Sequence, residues 1–147
     1  MIMTILVAID FSDLSKRVVA EADKLASRLQ AKVYLLHSVE PEPDFMGYDD
    51  DPKVMRDQIA LQYHREHRLL QEYAQSLRDK GLDVTAVLVR GIFSESILQH
   101  ADKVSADLIM VGSHGKGTLS ALVMGSCSQQ VIRHATVPVV VIPQVKD

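Results

Sequence analysis

The chain is poor in the residues that mark disulfide-stabilised or aromatic-rich proteins. Its 147 residues include one cysteine, Cys127, and no tryptophan. A single cysteine cannot form an internal disulfide, and a chain without disulfides suits a reducing compartment. Aromatic side chains make up only 5% of the residues, so aliphatic side chains must fill most of the core. These absences favour a cytoplasmic protein that is stabilised mainly by aliphatic burial.

Positive charge and long apolar runs are also lacking. The formal net charge is −3, whereas a general nucleic-acid-binding protein normally carries a basic surface. No apolar run approaches the ~18 residues needed to cross a bilayer. Residues 1–5 lead directly into an apolar segment and lack the basic region of a signal peptide. We therefore expect neither nucleic acid nor a membrane among the partners of this chain.

What the chain does contain is an alternation of strand-like and helix-like segments. Residues 3–9 are an almost unbroken apolar run, as in a central parallel strand that is buried on both faces. Apolar residues at helical spacing follow from Leu14 to about Gln30, and residues 32–39 resemble a second strand. A strand, a helix and a strand within about 40 residues predict a right-handed crossover and a parallel sheet.

The rest of the chain continues this alternation. We predict helices over 54–80 and around 97–104, and strands over 82–89, 107–111 and 137–142. Five strands alternating with helices predict a single α/β domain with an open parallel sheet of order 3-2-1-4-5 and helices on both faces, a Rossmann-like fold. The third strand begins with polar alternation, which suits an edge of the sheet.

Residues 40–53 interrupt the pattern. They contain Pro41, Pro43 and Gly47 among several acidic residues, which is typical of an exposed, flexible loop. Because open α/β sheets bind ligands at the carboxyl ends of their strands, this loop could fold over a ligand as a flap. A solvated connector is the alternative.

A glycine-rich segment follows the predicted strand over 107–111. Its glycines include Gly112 and Gly115, and Ser126 with Gln129 fits an S-x-x-Q capping box that predicts a helix beginning at Ser126. A strand, a glycine-rich loop and a helix N-terminus favour phosphate binding, because backbone N–H groups can approach an anion closely. The segment fits neither the Walker A motif nor the dinucleotide-binding motif.

A longer spacing in this segment resembles the ATP-binding signature of the universal stress protein family. That signature is G-x2-G-x9-G-S, and its fixed positions are matched by Gly112, Gly115, Gly125 and Ser126. The family's first, second and last strands with their adjoining residues resemble segments 5–12, 35–39 and 133–142. The resemblance covers essentially the whole chain. It implies one universal stress protein domain over residues 1–147 with an adenine nucleotide alpha hydrolase-like fold.

The resemblance also implies a site for ATP, alone or with Mg²⁺, at the ends of the first and fourth strands. Asp10 is expected to accept hydrogen bonds from the ribose hydroxyls, Ala8 to line the nucleoside pocket, and Ser38 to bind the adenine edge through its backbone. The phosphates are expected to be surrounded by Gly112, Ser113, His114, Gly115, Gly125, Ser126 and Cys127.

Several of these residues have a purely structural alternative. Asp10 could cap the first helix, and the glycines could serve turn geometry alone. Cys127 is expected to be a packed thiol, although a helix N-terminus could make it redox-sensitive. His114 could add positive charge near the γ-phosphate or be a solvated loop residue. His37, on the second strand, is expected to be structural.

The last predicted strand runs from Val137 to Ile142 and carries no charge. In the predicted order it lies at an edge of the sheet, where an apolar strand favours aggregation unless it is covered. A two-fold homodimer in which two such strands pair would cover it, and the family resemblance implies the same arrangement. Covering by the chain's own loops is the alternative.

The sequence contains no recognisable catalytic arrangement. We find no Ser-His-Asp order, no Cys/His metal spacing and no acid placed to hold Mg²⁺ and orient a water. Together with the family resemblance, this predicts an ATP-binding regulatory protein of the stress response without dedicated catalysis. A slow ATPase or phosphotransferase and a dimeric scaffold without nucleotide are the two alternatives.

Overall fold

The computed structural model describes residues 2–39, 52–114 and 124–145. Within these ranges the chain forms five strands and four helices. In chain order they are β1 (Thr4–Ala8), α1 (Leu14–Leu29), β2 (Lys32–Val39), α2 (Pro52–Arg78), β3 (Val84–Arg90), α3 (Phe93–Lys103), β4 (Leu108–Gly112), α4 (Ser126–His134) and β5 (Val139–Ile142).

The five strands form one parallel sheet of order β3-β2-β1-β4-β5, which confirms the predicted fold class. Val7 of β1 is opposite Leu35 of β2 on one side and Met110 of β4 on the other. The chain moves outward from β1 to β3 and then returns to β4, so the order reverses between β1 and β4. In open α/β sheets such a reversal leaves a crevice at the carboxyl ends of the two strands.

Apolar side chains on both faces of β1 account for its unbroken apolar sequence. Ile5 and Val7 belong to a cluster that includes buried residues of α1 and α2. Leu6 and Ala8 point to the opposite face and belong to a second cluster, with residues of α3 and α4. Because consecutive strand residues alternate between faces, a strand covered by helices on both sides needs apolar residues at every position.

The beginning of α2 differs from the prediction. We expected residues 40–53 to form a loop, but α2 already begins at Pro52. Proline suits the first position of a helix, because its missing N–H would have no acceptor within the helix there. The remainder of the predicted acidic loop, residues 40–51, lies outside the described residues.

The capping box predicted at the start of α4 is wrong. The helix does begin at Ser126, but its N-cap is Gly125 and no side chain caps it. The Gln129 amide instead donates to the Met124 carbonyl at 2.8 Å. Gly125 itself is held by a hydrogen bond from its N–H to the Ser113 carbonyl at 2.7 Å, so a long-range contact decides where the chain enters the helix.

No helix within the described ranges is both long and apolar enough to cross a membrane.

Candidate functional site

A cavity of about 360 Å³ lies at the reversal point of the sheet. This volume falls within the usual range for small-molecule sites. Eight of the ten predicted site residues line it, namely Ala8, Asp10, Ser38, Gly112, His114, Gly125, Ser126 and Cys127. Ser113 is not among the lining residues, and Gly115 lies outside the described residues. Segments 100 or more residues apart in the chain therefore meet at one cavity.

The Asp10 carboxylate organises the turn between β1 and α1. Its Oδ1 accepts a hydrogen bond from the Ser12 N–H at 2.9 Å and one from the Ser15 hydroxyl at 3.3 Å. Asp13, the N-cap of α1, makes no capping hydrogen bond with its side chain. The alternative that Asp10 caps α1 is therefore wrong, because Asp13 is the N-cap. Asp10 instead holds the turn before the helix, while also lining the cavity. The two roles are compatible because a carboxylate can accept several hydrogen bonds.

Gly112 ends β4 at a point where a side chain would collide with α1. A Cβ placed there would lie 2.8 Å from Cδ2 of Leu14, the first residue of α1. The Gly112 carbonyl accepts a 2.6 Å hydrogen bond from the Ser128 hydroxyl. This bond joins the first turn of α4 to the end of β4, and Ser128 is almost fully buried. Gly112 therefore allows two helix N-termini to approach one strand end.

The first turn of α4 borders the cavity through Ser126. N–H groups in the first turn of an α-helix have no acceptor within the helix, and no side chain caps this one. The helix dipole adds partial positive charge at the same end. These features favour an anion, such as a phosphate, as the group bound beside Ser126.

His114 is held in place by two uncharged side chains. The residue is only 8% exposed, and its Nδ1 lies 3.0 Å from the Ser113 hydroxyl. Its Nε2 contacts the side-chain oxygen of Gln144, which follows β5. Ser113 does not line the cavity, but its hydroxyl helps to fix the orientation of His114, which does. The sequence offered no signal for Gln144, because that contact spans 30 residues.

At the opposite end of the cavity, the Ser38 hydroxyl is already engaged. It donates to the Gly91 carbonyl at 2.7 Å and lies 3.2 Å from the Ser96 hydroxyl. Ser38 is also almost fully buried. The side chain thus ties β2 to the turn that begins α3, and the predicted interaction with a ligand depends on the Ser38 backbone. Phe93 also lines this end.

His37, Gln62 and Glu66 line the cavity although the sequence did not predict a role for them there. His37 Nδ1 lies 2.8 Å from the Ile9 carbonyl, and its Nε2 lies 3.4 Å from Oε2 of Glu66. Gln62 and Glu66 are four residues apart, so they lie on the same face of α2. The spacing alone could not show that this face meets the cavity, since polar residues at that spacing usually face solvent.

Aromatic rings extend from His37 along the outside of the cavity. Phe11 lies 4.2 Å from the His37 ring and 6.2 Å from the Tyr73 ring, measured between ring centroids. Phe11 adopts a positive φ of 64°, which is uncommon for a bulky residue and gives the turn after β1 a specific shape. Burial raises the pKa of Tyr73 above its usual value, so the phenol remains neutral at physiological pH.

Among the described residues, no group of three or more His, Cys, Asp or Glu side chains is placed to hold a metal ion. His64 and His67, which are three residues apart on α2, lie beside the same aromatic ring. Both histidine rings contact the Tyr63 ring, with centroids 6.2 and 6.4 Å apart.

A parallel α/β sheet with a cavity at its reversal point, bordered by glycines and a helix N-terminus, defines a class of domains that bind small molecules at their strand ends. The sequence profile of the Universal stress protein family matches residues 1–143. The chain belongs to this family.

One relative is similar to the chain in sequence, and two solved structures are similar to it in fold. The chain is 32% identical over 148 residues to the "Universal stress protein in QAH/OAS sulfhydrylase 3'region" of Thermus aquaticus, covering 97% of this chain and 99% of that protein. Its fold matches that of the hypothetical protein MJ0577 with a TM-score of 0.85 at 24% identity, covering 100% and 99% of the two chains. It also matches a universal stress protein of Archaeoglobus fulgidus in complex with dAMP, with a TM-score of 0.64 at 27% identity and coverage of 97% and 99%.

Proposed function

We propose that this protein binds ATP in the cavity between β1 and β4 and acts as a nucleotide-dependent regulatory protein of the stress response. The observation that carries the proposal is that the Asp10 carboxylate and the N-terminus of α4 border one cavity. A carboxylate suits ribose hydroxyls, and a helix N-terminus suits phosphate, so together they suit the two polar parts of a nucleotide. The dAMP complex of the Archaeoglobus fulgidus relative supports an adenine nucleotide.

In this arrangement the two ends of the cavity bind different parts of the nucleotide. Ala8 and the backbone of Ser38 contact the nucleoside, and Asp10 binds the ribose. The phosphates lie against the other wall, formed by Gly112, His114, Gly125, Ser126 and Cys127, with Ser113 orienting His114 and Gly115 completing the glycine motif. Mg²⁺ would enter with the phosphates, because it prefers oxygen ligands and commonly binds through substrate phosphates and water.

A regulatory role fits this cavity better than a dedicated catalytic one. Ser113 and His114 are hydrogen-bonded, as in a nucleophile–base pair, but the other ring nitrogen contacts the Gln144 amide. A catalytic triad has a carboxylate at that position to stabilise the imidazolium. Slow ATP hydrolysis is the second candidate, favoured by this Ser113–His114 contact. Turnover that is lost in Ser113→Ala while ATP still binds would support it.

We further propose a cytoplasmic homodimer joined through β5. Two observations support a pairing edge. β5 is the last strand on its side of the sheet, and it consists of Val139, Val140, Val141 and Ile142 without any charge. Such an edge offers unpaired backbone groups beside an apolar surface, and a two-fold contact would cover both.

The test of ATP binding is calorimetric titration of nucleotide-free protein with Mg²⁺ and ATP. We expect one site per chain. Asp10→Asn keeps an oxygen that can accept from Ser12 and Ser15 but removes the charge, and it should weaken binding by about tenfold. Asp79→Asn, at an exposed position on the connection after α2, is the matched control and should bind like the wild type. Wild-type protein that does not bind ATP would leave the scaffold role as the function.

A further inference from the structure

A buried ionisable pair joins α2 to the cavity wall. His37 of β2 is 4% exposed, and its Nε2 lies 3.4 Å from Oε2 of Glu66 on α2. Both atoms are buried, and neither has a hydrogen-bond partner within the described residues. Buried polar atoms without a partner are rare in folded proteins, so such a pair needs a physical explanation.

The hydrogen-bond partners of the His37 ring restrict which of its nitrogens carries a hydrogen. The Ile9 carbonyl can only accept, so His37 Nδ1 at 2.8 Å must be the donor. A neutral ring with its hydrogen on Nδ1 has only a lone pair on Nε2, and an ionised Glu66 likewise presents lone pairs. Two acceptors at 3.4 Å repel each other, whereas one added proton turns the contact into an attraction. No other atom fits between the two groups at this distance, so an attractive contact requires one proton between them.

Glu66 lies in the part of α2 that has few other buried contacts. The buried residues of α2 are Leu70, Ala74 and Leu77, all in its C-terminal half. The segment before them, residues 52–69, is mostly exposed and reaches the cavity through Gln62 and Glu66. Glu66 lies one turn before the first fully buried residue, Leu70. The pair is therefore one of the contacts that hold this part of α2 against the sheet, together with the Arg90 guanidinium of β3, which lies 5.4 Å from the centre of the Tyr63 ring and stays charged over the pH range of interest.

We propose that His37 and Glu66 form a proton-dependent latch, which closes α2 over the nucleoside end of the cavity when protonated and releases it when the proton leaves. The proposal rests on the proposed function, because it makes nucleotide affinity depend on pH through this one pair. Each closed latch takes up one proton. Affinity is therefore full at low pH and falls as pH rises and the proton is lost.

Other titratable groups face the same cavity and must be separated from the pair. Asp10 follows β1, His114 follows β4 and Cys127 lies in α4, and all three line the cavity. Tyr73 reaches His37 through Phe11, but its raised pKa keeps it neutral over the pH range of interest. Because variants of Glu66 leave these four groups and ATP itself unchanged, the comparison of variant with wild type isolates the latch.

The variants Glu66→Gln and Glu66→Ala are expected to have opposite effects on the latch. The glutamine amide can donate to a neutral His37 Nε2, so Glu66→Gln keeps the latch closed without a proton. Glu66→Ala removes the latch. Between about pH 6.0 and about pH 8.5, we expect ATP affinity of the wild type to fall about tenfold more than that of Glu66→Gln. Glu66→Ala should bind weakly at both pH values. Equal pH dependence in the wild type and Glu66→Gln would overturn the proposal.

Amide hydrogen exchange tests the latch without nucleotide. At about pH 8.5, peptides from residues 52–69 should exchange several-fold faster in the wild type than in Glu66→Gln, since local opening sets the exchange rate. At about pH 6.0 the two proteins should exchange at similar rates. Equal exchange at both values would refute the latch even if ATP binds. A wild type that does not bind ATP but shows the exchange difference would refute the proposed function alone.

Discussion

At the scale of single residues, Gly125 is a glycine whose backbone angles any residue could adopt, but whose surroundings leave no room for a side chain. Its φ of −65° and ψ of 156° are open to any residue. A Cβ on Gly125, however, would lie 3.0 Å from Cα and 3.3 Å from Cβ of His114. Gly81 is the reverse case, because its φ is +90° and no atom lies within 4 Å of the place where a Cβ would stand.

These two glycines allow a matched test. Gly125→Ala should lower the free energy of unfolding by about 1–3 kcal/mol, because the His114 backbone must move to admit the methyl group. It should also weaken ATP binding, since His114 lines the cavity. Gly81→Ala should cost about 1–2 kcal/mol through backbone strain and leave binding unchanged. Urea unfolding and calorimetry of both variants check this, and wild-type affinity in folded Gly125→Ala would contradict it.

His100 is expected to make the protein less stable in mild acid. Burial lowers its pKa from 6.5, and the nearby positive charge of Lys103 lowers it further. The unfolded chain therefore binds this proton more readily than the folded chain. The contribution of His100 to the free energy of unfolding is therefore fully present above about pH 6.5. It is lost as the pH falls toward the pKa that His100 has in the folded state, which is lower. Urea unfolding at about pH 5.5 and about pH 7.5 should show a larger loss in the wild type than in His100→Gln. Identical losses in the two proteins would contradict this assignment.

At the scale of elements, α2 has two halves with different roles. Leu70, Ala74 and Leu77 bury its C-terminal half against the sheet, whereas the segment before them is mostly exposed. The length of the helix was predictable from periodicity, but this division was not. It depends on which turns of the helix pack against the sheet, which no local pattern records.

Two leucines on α2 test the division. Leu77 is 1% exposed and Leu61 is 70% exposed. Leu77→Ala should lower the free energy of unfolding by about 2–5 kcal/mol, through lost burial and the cavity that remains. Leu61→Ala should change it by less than about 0.5 kcal/mol. Urea titrations followed by circular dichroism measure both values, and similar losses in the two variants would show that α2 packs differently.

At the scale of the whole molecule, the two edges of the sheet are unlike. β3 has exposed residues at Thr85 and Arg90, whereas β5 is entirely aliphatic. The carbonyls of Pro138 and Ile142 accept hydrogen bonds from the Ile109 and Ser113 N–H groups, in β4 and just after it. Since bonding residues alternate along a parallel strand, the backbone groups of Val139 and Val141 point toward the open side.

The proposed dimer can therefore be tested at Val141. Val141→Pro removes an N–H on the open side of β5, where proline does not disturb the bonds to β4. It should convert the dimer to a monomer in sedimentation experiments. Val141→Ala shortens the same side chain but keeps the N–H, and should remain dimeric. A dimeric Val141→Pro protein would place the contact elsewhere, and a monomeric wild type would exclude a stable dimer.

The sequence by itself determined the order and type of the elements, because each rests on local periodicity and turn residues. The apolar run of β1, the helical periodicity of α1 and the parallel order of the sheet all follow from short stretches of chain and from the right-handed crossover rule. Together with the family resemblance, the residues at the ends of β1, β2 and β4 and at the start of α4 were enough to predict eight of the residues that line the cavity.

Only the tertiary structure decided the remaining contacts. It placed Glu66 beside His37 and Gln144 beside His114, and it made Gly125 the N-cap of α4 in place of Ser126. Each contact depends on the rotation of a helix or the path of a distant segment. Packing of the whole core sets that geometry, so side chains that resemble solvated surface residues in the sequence become part of the cavity wall.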